Sequence, residues 1–145
     1  MDIKGLSQFV DRHARHKLLF VQGEIDNISY MDIGKELSQR ISDKLDRRNL
    51  PMITDDALNA IIEKGTVADD TIGSYVAIRN WGILFEPSLM INVHDKFEQC
   101  SREQVLIVNL EGVIDNNKLY LGHEPNTQCS ITLRDISYRT IYDNI

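Results

Sequence analysis

Short apolar runs alternate with amphipathic stretches along this chain. Continuous hydrophobic runs at residues 17–22, 74–78 and 105–108 have the length and composition of buried β-strands. Residues 6–16 can form a short helix. Residues 31–48 carry apolar positions at steps of four with charged residues between them, which predicts a longer one. Strands separated by helices favour crossover connections and therefore a mostly parallel sheet.

Prolines and capping residues divide the helical stretches. Pro51 is predicted to end the first long helix, and Thr54 is predicted to cap a second one that finishes near Gly65. Pro87 suits the first turn of a further helix that continues to about Arg102. The helices therefore fall between the predicted strands, as crossover units require.

Two short strands complete the pattern. Residues 118–121 and 130–133 are close enough in sequence to pair as a hairpin, which predicts an antiparallel edge. We therefore predict a three-layer α/β sandwich with a mostly parallel, P-loop-like sheet. The length suits a single domain over residues 1–145.

Composition places the chain among ordinary globular proteins. Of its 145 residues, 42% are hydrophobic and 26% are charged, close to the averages for folded domains. No run approaches the length of a membrane span, and the polar start lacks the features of a secretory signal, so a cytoplasmic location is expected. Cys100 and Cys129 have no zinc-site spacing and are expected to be free thiols.

Charge bears on the kind of partner. The net charge of −6 repels phosphate backbones at long range, which disfavours direct nucleic-acid binding. Basic residues cluster only locally, at residues 12–17 and 47–48, and are interpreted as solvated surfaces, with docking of an acidic partner as the alternative. His13 and His16 are interpreted as solvated residues of the first helix. Because no third ligand lies at suitable spacing, we predict no metal site.

The loop after the first strand is the usual phosphate site in such a fold. A P-loop there has a glycine, four further residues, and then Gly-Lys-Ser/Thr. When the count starts at Gly23, the last three positions fall on Ile28, Ser29 and Tyr30, so all three required residue types are absent. Acidic residues in the same loop, including Glu24, would also repel phosphate.

Nucleotide hydrolysis needs a second feature, an acidic residue that organises magnesium and water at the end of a buried strand. Arg79 follows the second strand, and a guanidinium cannot ligate a cation. The pair Gly34-Lys35 is followed by Glu36 and lies within a predicted helix, so it is interpreted as ordinary helix. The residues therefore predict no catalytic group, no cofactor and no hydrolysis.

Several stretches, taken in order, resemble one family. They are similar to BrxF, the small P-loop-containing protein of one type of BREX bacteriophage-exclusion system, at residues 83–89, at the pair Ser101-Arg102, at residues 105–109 and at residues 118–120. The resemblance extends over residues 18–124 and implies a P-loop-like fold in a multi-gene antiviral defence setting.

The departures from the family limit what the resemblance implies. Ser29, Tyr30 and Arg79 stand where the family has its phosphate-loop lysine, its hydroxyl residue and its acid. Activity is therefore not implied. In this resemblance Arg102 corresponds to an arginine that can reach a neighbouring subunit.

The predicted function is a non-catalytic adaptor or assembly component of a prokaryotic defence system, which binds a larger protein or a second copy of itself. One alternative is a divergent nucleotide-binding protein that uses backbone N–H groups of residues 23–29. Another is a mobile-element inhibitor that mimics an ATPase subunit. Tyr30, Trp81 and Arg102 are predicted to form the contact surface. Simple filling of the vacant pocket by the two aromatic residues, and a surface salt bridge for Arg102, are the alternatives.

Overall fold

A parallel β-sheet lies at the centre of the protein. The computed structural model describes residues 1–23, 25–122 and 129–142. In chain order its strands are β1 (Leu18–Gln22), β2 (Met31–Asp32), β3 (Tyr75–Arg79), β4 (Val105–Asn109), β5 (Gly112–Asp115), β6 (Lys118–Leu121), β7 (Ser130–Thr132) and β8 (Tyr138–Tyr142). Its α-helices are α1 (Ile3–Leu6), α2 (Ile33–Ile41), α3 (Leu50–Gly65) and α4 (Val93–Glu103). Short 3-10 turns cover Ser7–Phe9, Trp81–Phe85 and Pro87–Leu89.

The main sheet has the spatial order β2-β3-β4-β1-β8 within the described residues, and all its pairings are parallel. The predicted α/β class with a mostly parallel sheet is confirmed. The predicted hairpin of β6 and β7 also forms, but with β5 it makes a separate antiparallel sheet. The edges of the main sheet are instead β2 and β8, both in parallel pairs, and sequence analysis missed β8 because polar residues interrupt it.

Alternation along β1 divides the core between the two faces of the sheet. Leu18 and Phe20 belong to a large cluster with residues of α2, α3 and α4. Leu19 and Val21 belong to a second cluster, which is covered by α1 and by residues 25–30. Burial of each such side chain contributes about 1.5–3 kcal/mol, so this strand is a main source of stability.

The first long helix is shorter than predicted. Helix α2 ends at Ile41, and residues 42–49 form successive turns. This stretch is rich in Ser, Asp and Asn, whose side chains compete with helical hydrogen bonds. As a result Leu45, predicted to face the core, remains 59% exposed.

The other helix boundaries also differ from the predictions. Helix α3 begins at Leu50 with Pro51 in its first turn, where proline needs no N–H partner, so Thr54 is a buried helical residue and not a cap. The predicted helix from Pro87 breaks at Met90, whose φ is +52°, and α4 begins three residues later.

Candidate functional site

The order of the strands indicates where a ligand site is expected, beyond β1 and β4. In parallel sheets, ligands bind outside the carboxyl ends of two neighbouring strands whose following connections run to opposite sides. Here β1 and β4 are neighbours. The chain that leaves β1 continues to β2 at one edge of the sheet, whereas the chain that leaves β4 returns to the sheet as β8 at the other edge. The candidate site therefore lies beyond Gln22 and Asn109.

The loop that leaves β1 does not have the form of a phosphate cradle. Gly23 ends the strand with φ +119°, but no residue described between it and β2 is helical. A P-loop requires a helix N-terminus directly after the loop. The N–H groups of Asp26 and Ile28 already donate to the carbonyls of Met1 and Ile25, at 2.7 and 3.4 Å. Glu24 lies outside the described residues.

Ile28, Ser29 and Tyr30 form the last part of this loop. Ser29 is exposed, whereas Ile28 and Tyr30 are half-buried and pack against the cluster on the second face of the sheet. The Tyr30 hydroxyl is buried without a hydrogen-bond partner among the described residues, and this burial raises the pKa of Tyr30 to about 12. Its ring therefore acts mainly as an apolar group.

Arg79, at the end of β3, is held by an acidic partner. Its Nη1 lies 3.4 Å from Oδ2 of Asp32, the cap of α2. The neighbouring Asn80 donates its side-chain amide to Oδ1 of Asp32 at 2.8 Å. A backbone hydrogen bond from Lys35, the Asn80 amide and the Arg79 charge together lower the pKa of Asp32. At the position where an acid was expected, the chain thus has Arg79, a cation that forms an ion pair with the N-cap of α2.

Glu111 connects the ends of β3 and β4. Its Oε2 accepts the backbone N–H of Asn80 at 2.7 Å and the side-chain amide of Asn109 at 3.0 Å. The backbone N–H of Gly34 donates to the Asn80 carbonyl at 3.0 Å. The polar groups beyond these two strands therefore bind one another. Asn109, which in a working site could orient a water, has its amide engaged by Glu111.

Trp81 lies in the core next to this polar network. It is fully buried, and its Nε1 donates to the main-chain carbonyl of Asn109 at 2.8 Å. Its ring also contacts those of Phe85 and Phe97, with centroid distances of 6.1 and 6.3 Å. Trp81 is therefore a core residue, and the prediction that it is a contact residue on the surface is wrong.

Arg102 lies at the other end of the sheet. Helix α4 leads into the start of β4, so Arg102 is near the amino ends of the strands, away from Arg79. Its Nε lies 3.1 Å from Oε1 of Glu98, one helical turn earlier, in a partly exposed salt bridge. Tyr30, Trp81 and Arg102 thus do not form one surface, because the first two also pack into clusters on opposite faces of the sheet.

His16 is a buried, hydrogen-bonded side chain that sequence analysis interpreted wrongly. It lies after α1, not in a helix, and is 4% exposed, not solvated. Its Nδ1 accepts the backbone N–H of Ser137 at 3.3 Å, which leaves the proton on Nε2, 3.1 Å from Glu98. No sequence signal indicated that His16 is buried, because its contacts with Glu98 and Ser137 join residues far apart in the chain.

The remaining candidate groups give no chemical centre. Cys100 and Cys129 are free thiols, as predicted, and burial raises the pKa of Cys100 to about 11, so it is a poor nucleophile. In the described ranges, no group of three His, Cys, Asp or Glu residues could hold a metal ion. None of the helices described is both long enough and apolar enough to span a bilayer.

Comparison of the chain with protein-family models, with curated proteins and with solved structures gave no match. The fold and the chemistry of the candidate site at the carboxyl ends of the strands therefore carry the functional argument.

Proposed function

We propose that this chain is a non-catalytic, P-loop-like adaptor that acts through protein contacts, in an antiviral defence assembly of the kind its resemblance implies. The observation that supports the proposal is the set of hydrogen bonds at the carboxyl ends of β3 and β4. Glu111 binds groups at both strand ends, and the buried Trp81 donates to the Asn109 carbonyl. A protein of this fold that has no open ligand site can still act through contacts of its outer surface with other proteins.

Electrostatics at the candidate site support the same proposal. Glu111 is a carboxylate just after the end of β4, and Arg79 is already paired with Asp32. Like charges in a partly buried site repel by several kcal/mol, by order of magnitude. The loop after β1 offers little compensation, because two of its N–H groups are bonded within the chain.

A nucleotide titration tests the non-catalytic part of the proposal. We expect magnesium-ATP and magnesium-GTP to bind more weakly than about 1 mM in calorimetry. Micromolar, magnesium-dependent binding of either nucleotide would overturn the proposal and favour the divergent nucleotide-binding alternative. A catalytically active P-loop ATPase, titrated in the same buffers, is the positive control.

Capture of partners tests the adaptor part. The tagged chain is expressed in its native cell, purified at low salt and analysed by gel filtration and mass spectrometry. A single stoichiometric protein partner that persists through gel filtration is the expected result. A protein that stays monomeric, and returns no partner from cells challenged with bacteriophage, would argue against an adaptor. Genes that neighbour the coding sequence distinguish a defence component from a mobile-element inhibitor.

A further inference from the structure

The turn between β7 and β8 is held to the rest of the protein by two histidine rings. It covers residues 133–137 and connects the small antiparallel sheet to the edge strand of the main sheet. His94, in the first turn of α4, contacts Asp135 of this turn, and His16, just before β1, contacts Ser137. Each ring therefore ties the turn to a different element of the fold.

His16 fits its surroundings only as the neutral imidazole. The ring is buried, and the backbone N–H of Ser137 points at its Nδ1 from 3.3 Å. Nδ1 therefore carries a lone pair, and the single ring proton lies on Nε2, which donates to Oε1 of Glu98 at 3.1 Å. This hydrogen bond lowers the pKa of Glu98, which keeps the acceptor charged. A second ring proton, on Nδ1, would face the N–H of Ser137, and the bond to Ser137 would be lost.

His94 needs the opposite protonation state. Its Nε2 lies 2.7 Å from Oδ1 of Asp135, and its Nδ1 lies 3.1 Å from Oδ1 of Asp95. A neutral ring has one N–H and can donate to only one of these carboxylates, whereas the charged ring donates to both. The hydrogen bonds with Asp135 and Asp95 accordingly raise the pKa of His94. Deprotonation of the ring removes the charge from the bond with Asp135, or removes the bond itself, and so weakens the attachment of the turn to α4.

The other charged groups around the two rings come from three segments of the described chain. On α4, Nε of Arg102 lies 3.1 Å from the Glu98 carboxylate that accepts from His16. Arg15, in the segment before β1, also interacts with that carboxylate. In the turn, the charge of Asp135 interacts with both rings. The two histidines therefore belong to one electrostatic cluster.

The attachment of the turn bears directly on the strand that follows it. β8 is an edge strand, and in the described part of the main sheet it pairs with β1 alone, residues 138–142 beside residues 18–22. The bond between His16 and Ser137 comes just before the first of these pairs and extends the junction of the two strands. If β8 separates, β1 becomes an edge of the sheet, with backbone N–H and C=O groups free to pair with another strand.

We propose that His16 and His94 form a pH-dependent clasp on the turn before β8, which holds this edge strand most firmly when His94 is charged and His16 is neutral. Histidine is the side chain whose charge ordinarily changes between about pH 5 and 8, so the clasp weakens toward both ends of this range. In acid, His16 gains its second proton and releases Ser137. In alkali, His94 loses a proton, and its contribution, complete below the unfolded pKa, is lost as pH rises through the folded pKa. The clasp does not require the proposed adaptor function.

Amide exchange measured by NMR tests the clasp in the intact chain. Protection factors of Ser137 and of the β8 amides, each relative to an unstructured peptide at the same pH, are measured from about pH 5 to about pH 8.5. We expect a maximum between these limits, with protection about three- to tenfold lower at either end, as the loss of one hydrogen bond predicts. The nitrogen shifts of the His16 ring should show Nδ1 without a proton at the maximum, and with one where the protection of Ser137 falls in acid.

Three histidine variants assign the two falls in protection. His16→Asn provides an amide oxygen that accepts the Ser137 N–H and does not titrate, so the fall in acid should disappear. His94→Gln keeps a donor for Asp135 that does not titrate, so the fall in alkali should disappear. His13→Asn, at an exposed ring of the segment that carries His16, is the matched control and should keep both falls. Circular dichroism checks that each variant folds.

Several results would overturn the proposal. They are a flat protection profile, a fall in acid that His16→Asn retains, a fall in alkali that His94→Gln retains, or either fall removed by His13→Asn. If His16→Asn does not fold, the wild type decides the matter. A proton on Nδ1 of His16 at neutral pH, or one gained in acid with no loss of protection at Ser137, would then contradict the clasp.

Discussion

The indole nitrogen of Trp81 donates a hydrogen bond to the main-chain carbonyl of Asn109, 2.8 Å away, and thereby joins the segment after β3 to the end of β4. The bond therefore fixes the 3-10 segment that carries Trp81 against the carboxyl end of β4, the end of the strands at which parallel sheets bind ligands.

Replacement of Trp81 by phenylalanine tests this relationship. The variant leaves the Asn109 carbonyl without its donor, which costs about 1–3 kcal/mol, and also creates a cavity in the core. We expect a loss of about 2–4 kcal/mol in the free energy of unfolding, measured by urea titration with circular dichroism. Tyr142→Phe, at an aromatic residue that is 56% exposed, is the matched control and should change stability by less than about 0.5 kcal/mol. Equal stability of the two variants would contradict the assigned role of the indole.

Gly34→Ala should destabilise the protein even though it lies in a helix. Alanine normally stabilises a helix by up to about 1 kcal/mol relative to glycine. At residue 34, however, an added Cβ would lie 2.5 Å from Nδ2 and 3.0 Å from the carbonyl oxygen of Asn80. We expect a net loss of about 1–3 kcal/mol in the free energy of unfolding. Gln39→Ala, at an exposed position of α2, is the control and should be neutral or slightly stabilising. A Gly34→Ala protein more stable than the wild type would show that Asn80 moves away from the added Cβ at little cost in free energy.

Strand β4 should be the part of the core most sensitive to truncation. Leu106 and Ile107 are almost fully buried on opposite faces of the central strand. Each change to alanine should cost about 2–5 kcal/mol in chemical denaturation. Leu45→Ala, at an exposed leucine, should cost less than about 0.5 kcal/mol. A loss below about 1 kcal/mol at both buried sites would mean that this strand is not core.

Stability should depend on the protonation of His94. Its Nε2 lies 2.7 Å from Oδ1 of Asp135, and this hydrogen bond, reinforced by Asp95, raises the pKa of His94 above its usual 6.5. The charged form is therefore favoured in the folded state. Its contribution is complete below the unfolded pKa and is lost as pH rises through the folded pKa.

The measurement for His94 is a series of urea midpoints above and below pH 6.5, compared with His94→Gln. The wild type should lose its advantage over the variant as pH rises through the neutral range. Titration of the ring by NMR should place its pKa above that of an unstructured peptide of the same local sequence. A constant difference between the two proteins across this range would contradict the prediction.

Restoring the missing motif residues should not restore nucleotide binding. A variant with Ile28→Gly, Ser29→Lys, Tyr30→Thr and Arg79→Asp regains the expected residue types. Because α2 begins only after β2 at the far edge of the sheet, the new lysine still has no adjoining helix N-terminus. We expect calorimetry with magnesium-ATP to give no binding stronger than about 1 mM, with circular dichroism as the check on folding. Micromolar binding would mean that the residue types at these four positions alone prevent the wild-type protein from binding nucleotide.

Sequence predicted the central strands well and the helix ends poorly. The first four residues of β1, β3 and β4 are all buried and almost all apolar, as in strands that are covered on both faces. Strand β8 was missed because Arg139 and Thr140 interrupt its apolar residues, and because its pairing partner β1 lies more than a hundred residues away. Leu45 was assigned to the core because periodicity continues past the residue at which the helix stops.

For the candidate site, too, the sequence predicted the local features and missed the contacts between distant residues. The absence of P-loop residues at Ile28, Ser29 and Tyr30 follows from the sequence alone, since residue types at a fixed spacing define that motif. That Asp32 and Glu111 bind the groups around Arg79 and Asn80 depends on tertiary structure. These contacts join residues that are about thirty or more positions apart, and a local pattern contains no information on such distances.

By itself, then, the sequence determined the α/β class, the central strands and the absence of P-loop residue types after β1, because each depends on side-chain type or on local periodicity. Only the tertiary structure decided that Trp81 is buried, that His16 accepts a hydrogen bond from Ser137, and that Leu45 is exposed. Each of these outcomes depends on contacts between segments that are far apart in the chain. The order of the strands in the sheet and the packing of the helices against it determine those contacts.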